Sequence, residues 1–301
     1  MSDAPNRTFL FTPGDHARRV ERALGSEADA AILDLEDAVA LSAKVAARDA
    51  VAAVLAAPRR TRAYVRVNGF ATPFCFGDIG AVVGPRLDGV VLPMLEDPAQ
   101  LVAVDWAMAA LERDRGLPER GIDLMPIVET GRGLARCRAL AEAAAALDGR
   151  VRRLAFGAGD YTLDLGIAWT LEEAELAAAR AEVVLASRSA RLEPPVDTVF
   201  VELREVEAFG RSCRRAAALG FQGKMCIHPD QLPVANAVFG PAPEEVERAR
   251  RVVAAFAEAE ARGVASIQVD GRFVDYPIVA RARRVLALAE RIAAAGGCPA
   301  R

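Results

Sequence analysis

Short runs of β-branched and apolar residues alternate along this chain with longer Ala-, Leu-, Arg- and Glu-rich stretches of helical period. The runs predict strands over 8–11, 30–35, 63–67, 89–92, 123–128, 153–156, 198–201 and 223–227. Between most of them, apolar residues recur every three or four positions and predict helices over 16–24, 43–55, 98–113, 133–147, 171–191 and 205–219. Asp15, Ser42, Asp97 and Thr170 stand where helix N-caps are expected, because a short polar side chain there can accept a free backbone N–H. Eight strands, each followed by a helix or a helix-sized crossover, fit an α/β fold of the (β/α)8 TIM-barrel type. A doubly wound sheet is the alternative, but no G-x-G-x-x-G follows the first strand.

Past residue 238 the pattern exceeds what closing a barrel requires. Gly240-Pro241-Ala242-Pro243 breaks it, and a charged helix is predicted over 244–262. A small hairpin over 264–269 and 271–273 and a last Ala/Arg-rich helix over 277–295 follow. Residues 1–238 are therefore expected to form the barrel, and 239–301 a helical and hairpin extension that serves as a lid or packs against another subunit.

Composition narrows the chemistry. Hydrophobic residues make up 52% of the 301, enough for a substantial core, and 38 Lys+Arg against 41 Asp+Glu leave a net charge of −3. Charge so balanced and scattered argues against an electrostatically driven nucleic-acid binder. No apolar run approaches the roughly 20 residues of a membrane span, and the polar start has no secretory pattern, so a cytoplasmic protein is expected. Two histidines cannot build a His-rich zinc site. Cys75, Cys137, Cys213, Cys226 and Cys298 are odd in number and widely spaced, and they read as small buried thiols rather than a disulfide framework. Catalysis must rest on carboxylates and arginines, with or without a hard metal ion.

In a barrel of this type the active site is built at the C-terminal ends of the strands. Nearly every predicted strand here is followed at once by polar or Gly/Pro residues, and three of the ends carry carboxylates. Glu129 ends the fifth strand and Asp160 follows the sixth, which brings the two together on one face. Ionised carboxylates that close repel unless a cation lies between them, and all-oxygen ligands point to Mg2+ or Mn2+. The competing reading has both capping helices or pairing with surface arginines such as Arg132. Asp34, Glu36 and Asp37 crowd the second strand end. They suit outer-sphere contacts to metal-bound water or, equally, a helix N-terminus stabilised by acids. Arg66 interrupts the apolar run AYVRV and must meet a barrel acid or an anionic substrate; beside a metal it would stabilise an enolate oxyanion. His16 and His228 are the remaining general-base candidates, but neither has a neighbour that demands acid–base work.

The segments FLFTPGD, ADAAILDLEDAV, VRVNG, VVLP, PIVETGRGL, LAFGAGDYTLDLG and GKMCIHPDQL follow one another in this order over essentially the whole chain. This series resembles the citrate lyase β-subunit-like proteins of the citrate lyase/malyl-CoA lyase aldolase family. The resemblance implies Glu129 and Asp160 as the protein ligands of Mg2+, with Arg66 contacting the substrate carbonyl and Asp34, Glu36 and Asp37 near the metal's water shell. It also implies a role for Asp275 in GRFVDYP, matching an Asp that in malyl-CoA-lyase-like members reaches a neighbouring subunit's site from a C-terminal lid. Three positions depart from the pattern: Met94 replaces a common Lys, Gly159 the usual acid and Tyr161 a common Leu. They bear on the identity of the substrate more than on the chemistry.

The expected function is Mg2+- or Mn2+-dependent cleavage of a carboxylate-bearing 3-hydroxyacyl-CoA into a 2-keto acid and an acyl-CoA. The catalytic set would be Arg66, Asp275, Glu36 and Asp37, in a homotrimer or hexamer without nucleic-acid or membrane partners. Rival readings are a citrate lyase β subunit acting on a carrier-linked citryl thioester, a malyl-CoA thioesterase, and an acyl-CoA-binding regulatory barrel.

Overall fold

Apolar runs buried on both faces become the staves of a closed eight-stranded parallel barrel in the computed structural model, which describes residues 4–296. In chain order the barrel unit runs β1 (Thr8–Pro13), α1 (Ala17–Leu24), β2 (Ala30–Asp34), α2 (Lys44–Leu55), β3 (Arg62–Arg66), α3 (Cys75–Val82), β4 (Gly89–Leu92) and α4 (Pro98–Asp114). It continues through β5 (Asp123–Val128), α5 (Gly131–Ala135), α6 (Cys137–Ala146), β6 (Ala155–Phe156), α7 (Ala158–Leu165), α8 (Ala177–Ser189), β7 (Val196–Asp197), α9 (Val206–Leu219), β8 (Gly223–Cys226) and α10 (Gln231–Phe239). Each strand pairs in parallel with the next, and β1 closes on β8 through Thr8 opposite Lys224. This is a (β/α)8 TIM barrel. Alternation along the strands sends Phe9, Ile32, Tyr64, Val91, Met125, Ile127 and Met225 into the barrel interior, where Phe9 meets Tyr64 edge-on at 5.5 Å.

Two compact units divide the chain inside α10, between Asn236 and Ala237, so that the last turn of this helix goes with the C-terminal unit. In the C-terminal unit α11 (Pro243–Glu260) and α12 (Tyr276–Gly296) pack with the hairpin β9 (Ile267–Val269) and β10 (Arg272–Val274). Their shared core is Phe256, Val252, Val274 and Val279. Asp270 and Gly271 turn the hairpin with both φ angles positive, 50° and 73°, the backbone that a tight two-residue hairpin needs.

Several predicted elements move. The seventh strand lies at Val196–Asp197, ahead of the apolar run 198–201, because register with Ala155 and Gly223 is set there. Its Asp197 reads in sequence as a turn residue, yet it is fully buried. Arg180 donates to it at 2.8 and 3.0 Å and Lys224 at 2.6 Å, so the charge is neutralised where the strand needs to be. Asp97 does cap α4: it accepts from the Ala99 N–H, while Gln100 reaches back to the Asp97 N–H. Asp15 does not cap α1, since His16 occupies that position, and Ser42 falls in a 3-10 turn before α2. Thr170 accepts from the Glu173 N–H inside a loop, and the helix expected from 171 becomes α8 at Ala177. The stretch 133–147 is split at Arg136 into α5 and α6.

Cys75, Cys137, Cys213 and Cys226 are buried free thiols; Cys298 lies outside the described residues. Burial pushes the Cys75 thiol up to about 11 and the Cys137 thiol to about 12, which keeps both unreactive. No helix among the described residues is long and apolar enough to cross a membrane.

Burial works against the charge of Asp197, but Lys224 and Arg180 outweigh it and hold the carboxyl below its ordinary value. A depressed folded-state pKa stabilises above the unfolded value of about 3.9, and the gain is lost as pH falls through the folded value. Denaturant midpoints should therefore drop on acidification below about pH 4. Lys224→Ala, which strands the buried Asp197–Arg180 pair, should cost about 3–5 kcal/mol at neutral pH by urea unfolding.

Candidate functional site

At the C-terminal ends of the strands a cavity of about 480 Å³ opens, lined by residues from β1, β2, β3, β5, β8 and the segments after β6 and β7. Among its polar lining residues are Asp34, Asp37, Arg66, Glu129 and Asp160. Most of the carboxylates and the arginine singled out at strand ends thus meet in one place.

Arg66 is organised first by sheet register, which sets Asp34 on β2 directly opposite it on β3. The guanidinium donates Nε to Asp34 Oδ1 at 2.7 Å and Nη2 to Oδ2 at 2.6 Å, a bidentate fork. Its Nη1 lies 2.8 Å from Glu36 and 3.3 Å from Asp37, and its plane lies over the Phe11 ring at 4.9 Å. Burial opposes its charge, but Asp34, Glu36 and Glu129 more than offset this and hold it protonated above its ordinary value. Asp34 also accepts from the Glu36 and Ala38 N–H groups, which shapes the loop after β2. These bonds of Asp34 serve the guanidinium and that loop, so Asp34 orients Arg66. Glu36 is not among the cavity-lining residues; it braces Arg66, and burial raises its carboxyl to about 8. Asp37 stands at the cavity rim with a side chain 66% exposed.

Glu129 follows β5 and is 3% exposed. One carboxylate oxygen, Oε1, accepts the Met94 N–H at 2.7 Å. Met94 takes a φ of 54°, unusual for a side chain of its kind, and this turn aims the peptide at Glu129. The other oxygen, Oε2, faces Gly157, where a Cβ would collide with it and lie 2.7 Å from the Glu129 Cβ. Burial raises Glu129 to about 8, with Glu36 and Asp160 adding to the rise and Arg66 opposing it. Asp160, in the first turn of α7, is also raised, by burial and then by Asp37.

Among the described residues no three His, Cys, Asp or Glu side chains are grouped around a single metal position. Two carboxylates lining one cavity, each raised by burial and like charge, are nonetheless a donor set suited to a hard cation. Mg2+ is commonly held by one or two protein carboxylates, with water and substrate oxygens completing the shell. The residues fit such an ion.

Neither His16 nor His228 lines the cavity; each lies beside an exposed acid of its own segment, Asp15 and Asp230. Asp275 belongs to the C-terminal unit, where it caps α12 by accepting the Ile278 N–H. Reading the sequence missed the support beneath the site. Lys44 donates to the carbonyls of Leu35 and Glu36, and Asp78 ties Arg48 on α2 to Asn68 after β3. Trp169, from the loop before α8, enters the cavity wall without any periodic signal to announce it.

A closed (β/α)8 barrel with acids and an arginine gathered at its strand ends belongs to the class of barrels whose ligand chemistry occupies that face. The match to a family model narrows this class: residues 7–229 fit the HpcH/HpaI aldolase/citrate lyase model, and the chain belongs to that family. It is 37% identical to a citrate lyase subunit beta-like protein of Deinococcus radiodurans, covering 93% of this chain and 96% of that one. A (3S)-malyl-CoA thioesterase of Cereibacter sphaeroides is 36% identical, with 96% of each chain covered. An L-malyl-CoA/beta-methylmalyl-CoA lyase of the same species is 33% identical over the same shares. The family thus includes carbon–carbon lyases. Among solved structures, protein CitE of Mycobacterium tuberculosis, in complex with magnesium, acetoacetate and coenzyme A, superposes with a TM-score of 0.72 at 28% identity. That match covers 96% of this chain and 99% of the other.

Gly157→Ala tests the placement of Glu129. The added methyl should push the carboxylate off its position and weaken Mg2+ or Mn2+ binding roughly 10–100-fold by calorimetry, with an unchanged circular dichroism spectrum. Undiminished metal affinity would show that the Glu129–Gly157 contact is irrelevant to the ion.

Proposed function

We propose that the protein is a Mg2+-dependent carbon–carbon lyase, with Mn2+ able to substitute. It cleaves or forms a carboxylate-bearing 3-hydroxyacyl-CoA, such as malyl-, citramalyl- or methylmalyl-CoA, giving a 2-keto acid and an acyl-CoA. The observation that carries this reading is that Glu129 and Asp160 line one cavity together with a guanidinium locked in place by Asp34. Glu129 and Asp160 would hold the cation. When bound, it supplies a Lewis acid for the carboxylate and hydroxyl of the substrate.

The protein's own groups account for the rest. As the carbon–carbon bond breaks, negative charge moves to the thioester oxygen, and Arg66 donates an N–H to it. The fork to Asp34 means that this donor is oriented before substrate arrives, so little reorganisation is left for the transition state. Glu36 and Asp37 keep Arg66 from swinging away and tune the polarity of the rim. Asp275, supplied by a C-terminal lid within a homotrimer or hexamer, protonates the carbon of the acyl fragment or removes its proton in the reverse direction. A cytoplasmic setting with a pool of CoA thioesters suits this chemistry.

The relative named as a thioesterase keeps hydrolysis as a second reading for the same site. Release of a 2-keto acid separates the two, since hydrolysis frees CoA without one. Glu129→Ala and Asp160→Ala should each lower Mg2+-dependent keto-acid release by roughly a thousandfold while the barrel stays folded. Wild-type turnover in both variants would remove the metal assignment. Asp275→Ala should slow proton exchange at the methyl group of acetyl-CoA much more than it weakens metal binding, and unchanged exchange would exclude it as the carbon acid and base.

A further inference from the structure

Glu129 and Asp160 come from different elements, the end of β5 and the first turn of α7, and both line the cavity. A cation held by the two needs their separation fixed, so the ties between α7 and the end of β5 matter as much as the carboxylates themselves. Asp164 makes one such tie. Its Oδ2 accepts the Gly131 N–H at 2.8 Å, two residues past Glu129. Asp160 and Asp164 stand four positions apart in the same eight-residue helix, so they share a face, about 6 Å apart along its axis. One acid lines the cavity while the other grips the backbone that carries Glu129.

Packing brings the two elements to this distance. A Cβ placed on Gly131 would lie 3.0 Å from Leu165 Cδ1 and 3.3 Å from Asp164 Oδ2, so the glycine leaves room for the last turn of α7. The start of α7 is pinned separately: the Gly157 N–H donates to the Val128 carbonyl at 3.1 Å and the Ala158 N–H to Thr198 Oγ1 at 2.8 Å. Those bonds alone would let the short helix pivot about its first residues, and Asp164 closes the far end. Arg132, beside Gly131 in the chain, lies 3.8 Å from Glu96, whereas Asp164 bonds the Gly131 backbone.

Glu129 has its own restraints on the other flank. Thr130 donates to Glu96 Oε1 at 2.9 Å and accepts the Gly133 N–H at 3.0 Å, which holds the residue after Glu129 to the loop that presents the Met94 N–H. With Glu129 fixed in this way, the Asp164 bond relates the helix of Asp160 to it. The consequence is one of cation size. Mg2+ demands near-ideal octahedral geometry at about 2.0–2.1 Å, whereas Ca2+ takes more oxygens at about 2.3–2.6 Å in flexible arrangements. Two carboxylates whose spacing can drift therefore penalise Mg2+ more than Ca2+.

We propose that Asp164 is a positioning residue: through the Gly131 N–H it sets the spacing of Glu129 and Asp160, and so favours Mg2+ over Ca2+ at this site. This rests on the lyase reading, in which those two carboxylates hold the cation.

Calorimetric titration of the full-length protein with Mg2+ and, separately, with Ca2+ tests it. Asp164→Ala should weaken Mg2+ binding roughly tenfold and Ca2+ binding by no more than about twofold. Asp164→Asn keeps an oxygen that can accept the Gly131 N–H but lacks the charge, so it separates the tether from long-range attraction of the cation. It should hold Mg2+ within about twofold of the wild type. Circular dichroism and the urea midpoint should stay near wild type in both variants, since the Asp164 side chain is exposed. Unchanged Mg2+ affinity in Asp164→Ala, an equally weak Asp164→Asn, or the same loss for both cations would overturn the tether alone. A wild-type protein that binds no Mg2+ would remove the metal assignment, and the lyase reading together with it.

Discussion

The fork between Arg66 and Asp34 is the constraint on which the site depends. Adjacent strands in register place the two residues opposite each other, and each would be costly to bury alone. Paired, they let a cation sit inside an apolar barrel mouth with its plane fixed. The same aspartate accepts two backbone N–H groups from the loop that carries Glu36 and Asp37, so one carboxylate sets both the arginine and the acids around it. Lys44 then clamps the carbonyls of that loop from α2. Polar groups held this way spend little binding energy on being ordered.

On the opposite side of the cavity the constraint is reversed, because like charges are brought together. Glu129 and Asp160 are both raised by burial and by neighbouring acids, an arrangement that costs stability in the protein alone. Met94 holds one Glu129 oxygen through a backbone bent into the left-handed region, and Gly157 leaves room for the other. Like-charge repulsion is gathered within one small region, while elsewhere in the barrel buried acids are gathered around arginines. Arg150 meets Asp105 and Glu112, Arg153 meets Asp123 and Glu193, and Arg180 meets Glu173 and Asp197. This contrast sets the Glu129–Asp160 pair apart from the structural acids of the same protein.

Much of the fold was legible because a parallel barrel writes itself as apolar runs separated by helical periods. β4 and β5 begin and end where those runs do, and Asp97 caps α4 as a polar residue before a helix should. The seventh strand was misplaced for a definite reason. Its two residues include an aspartate that only Arg180 and Lys224, distant in sequence, make acceptable inside a sheet. Thr170 shows the same limit, as its hydroxyl serves the Glu173 N–H within a loop held by a buried ion pair.

The sequence by itself determined the barrel class and the family, and it marked Glu129, Asp160 and Arg66 as the residues at strand ends, since both the strand period and the linked motifs are local in the chain. Tertiary structure decided what those residues do to one another. It showed that Asp34 orients Arg66, that Glu36 stands behind the guanidinium, and that the Met94 peptide and Gly157 seat Glu129. It alone brought Trp169 beside Gly159. These relations depend on strand register, on closure of β1 against β8 and on which side of a loop faces the barrel mouth, and no local pattern of residues encodes them.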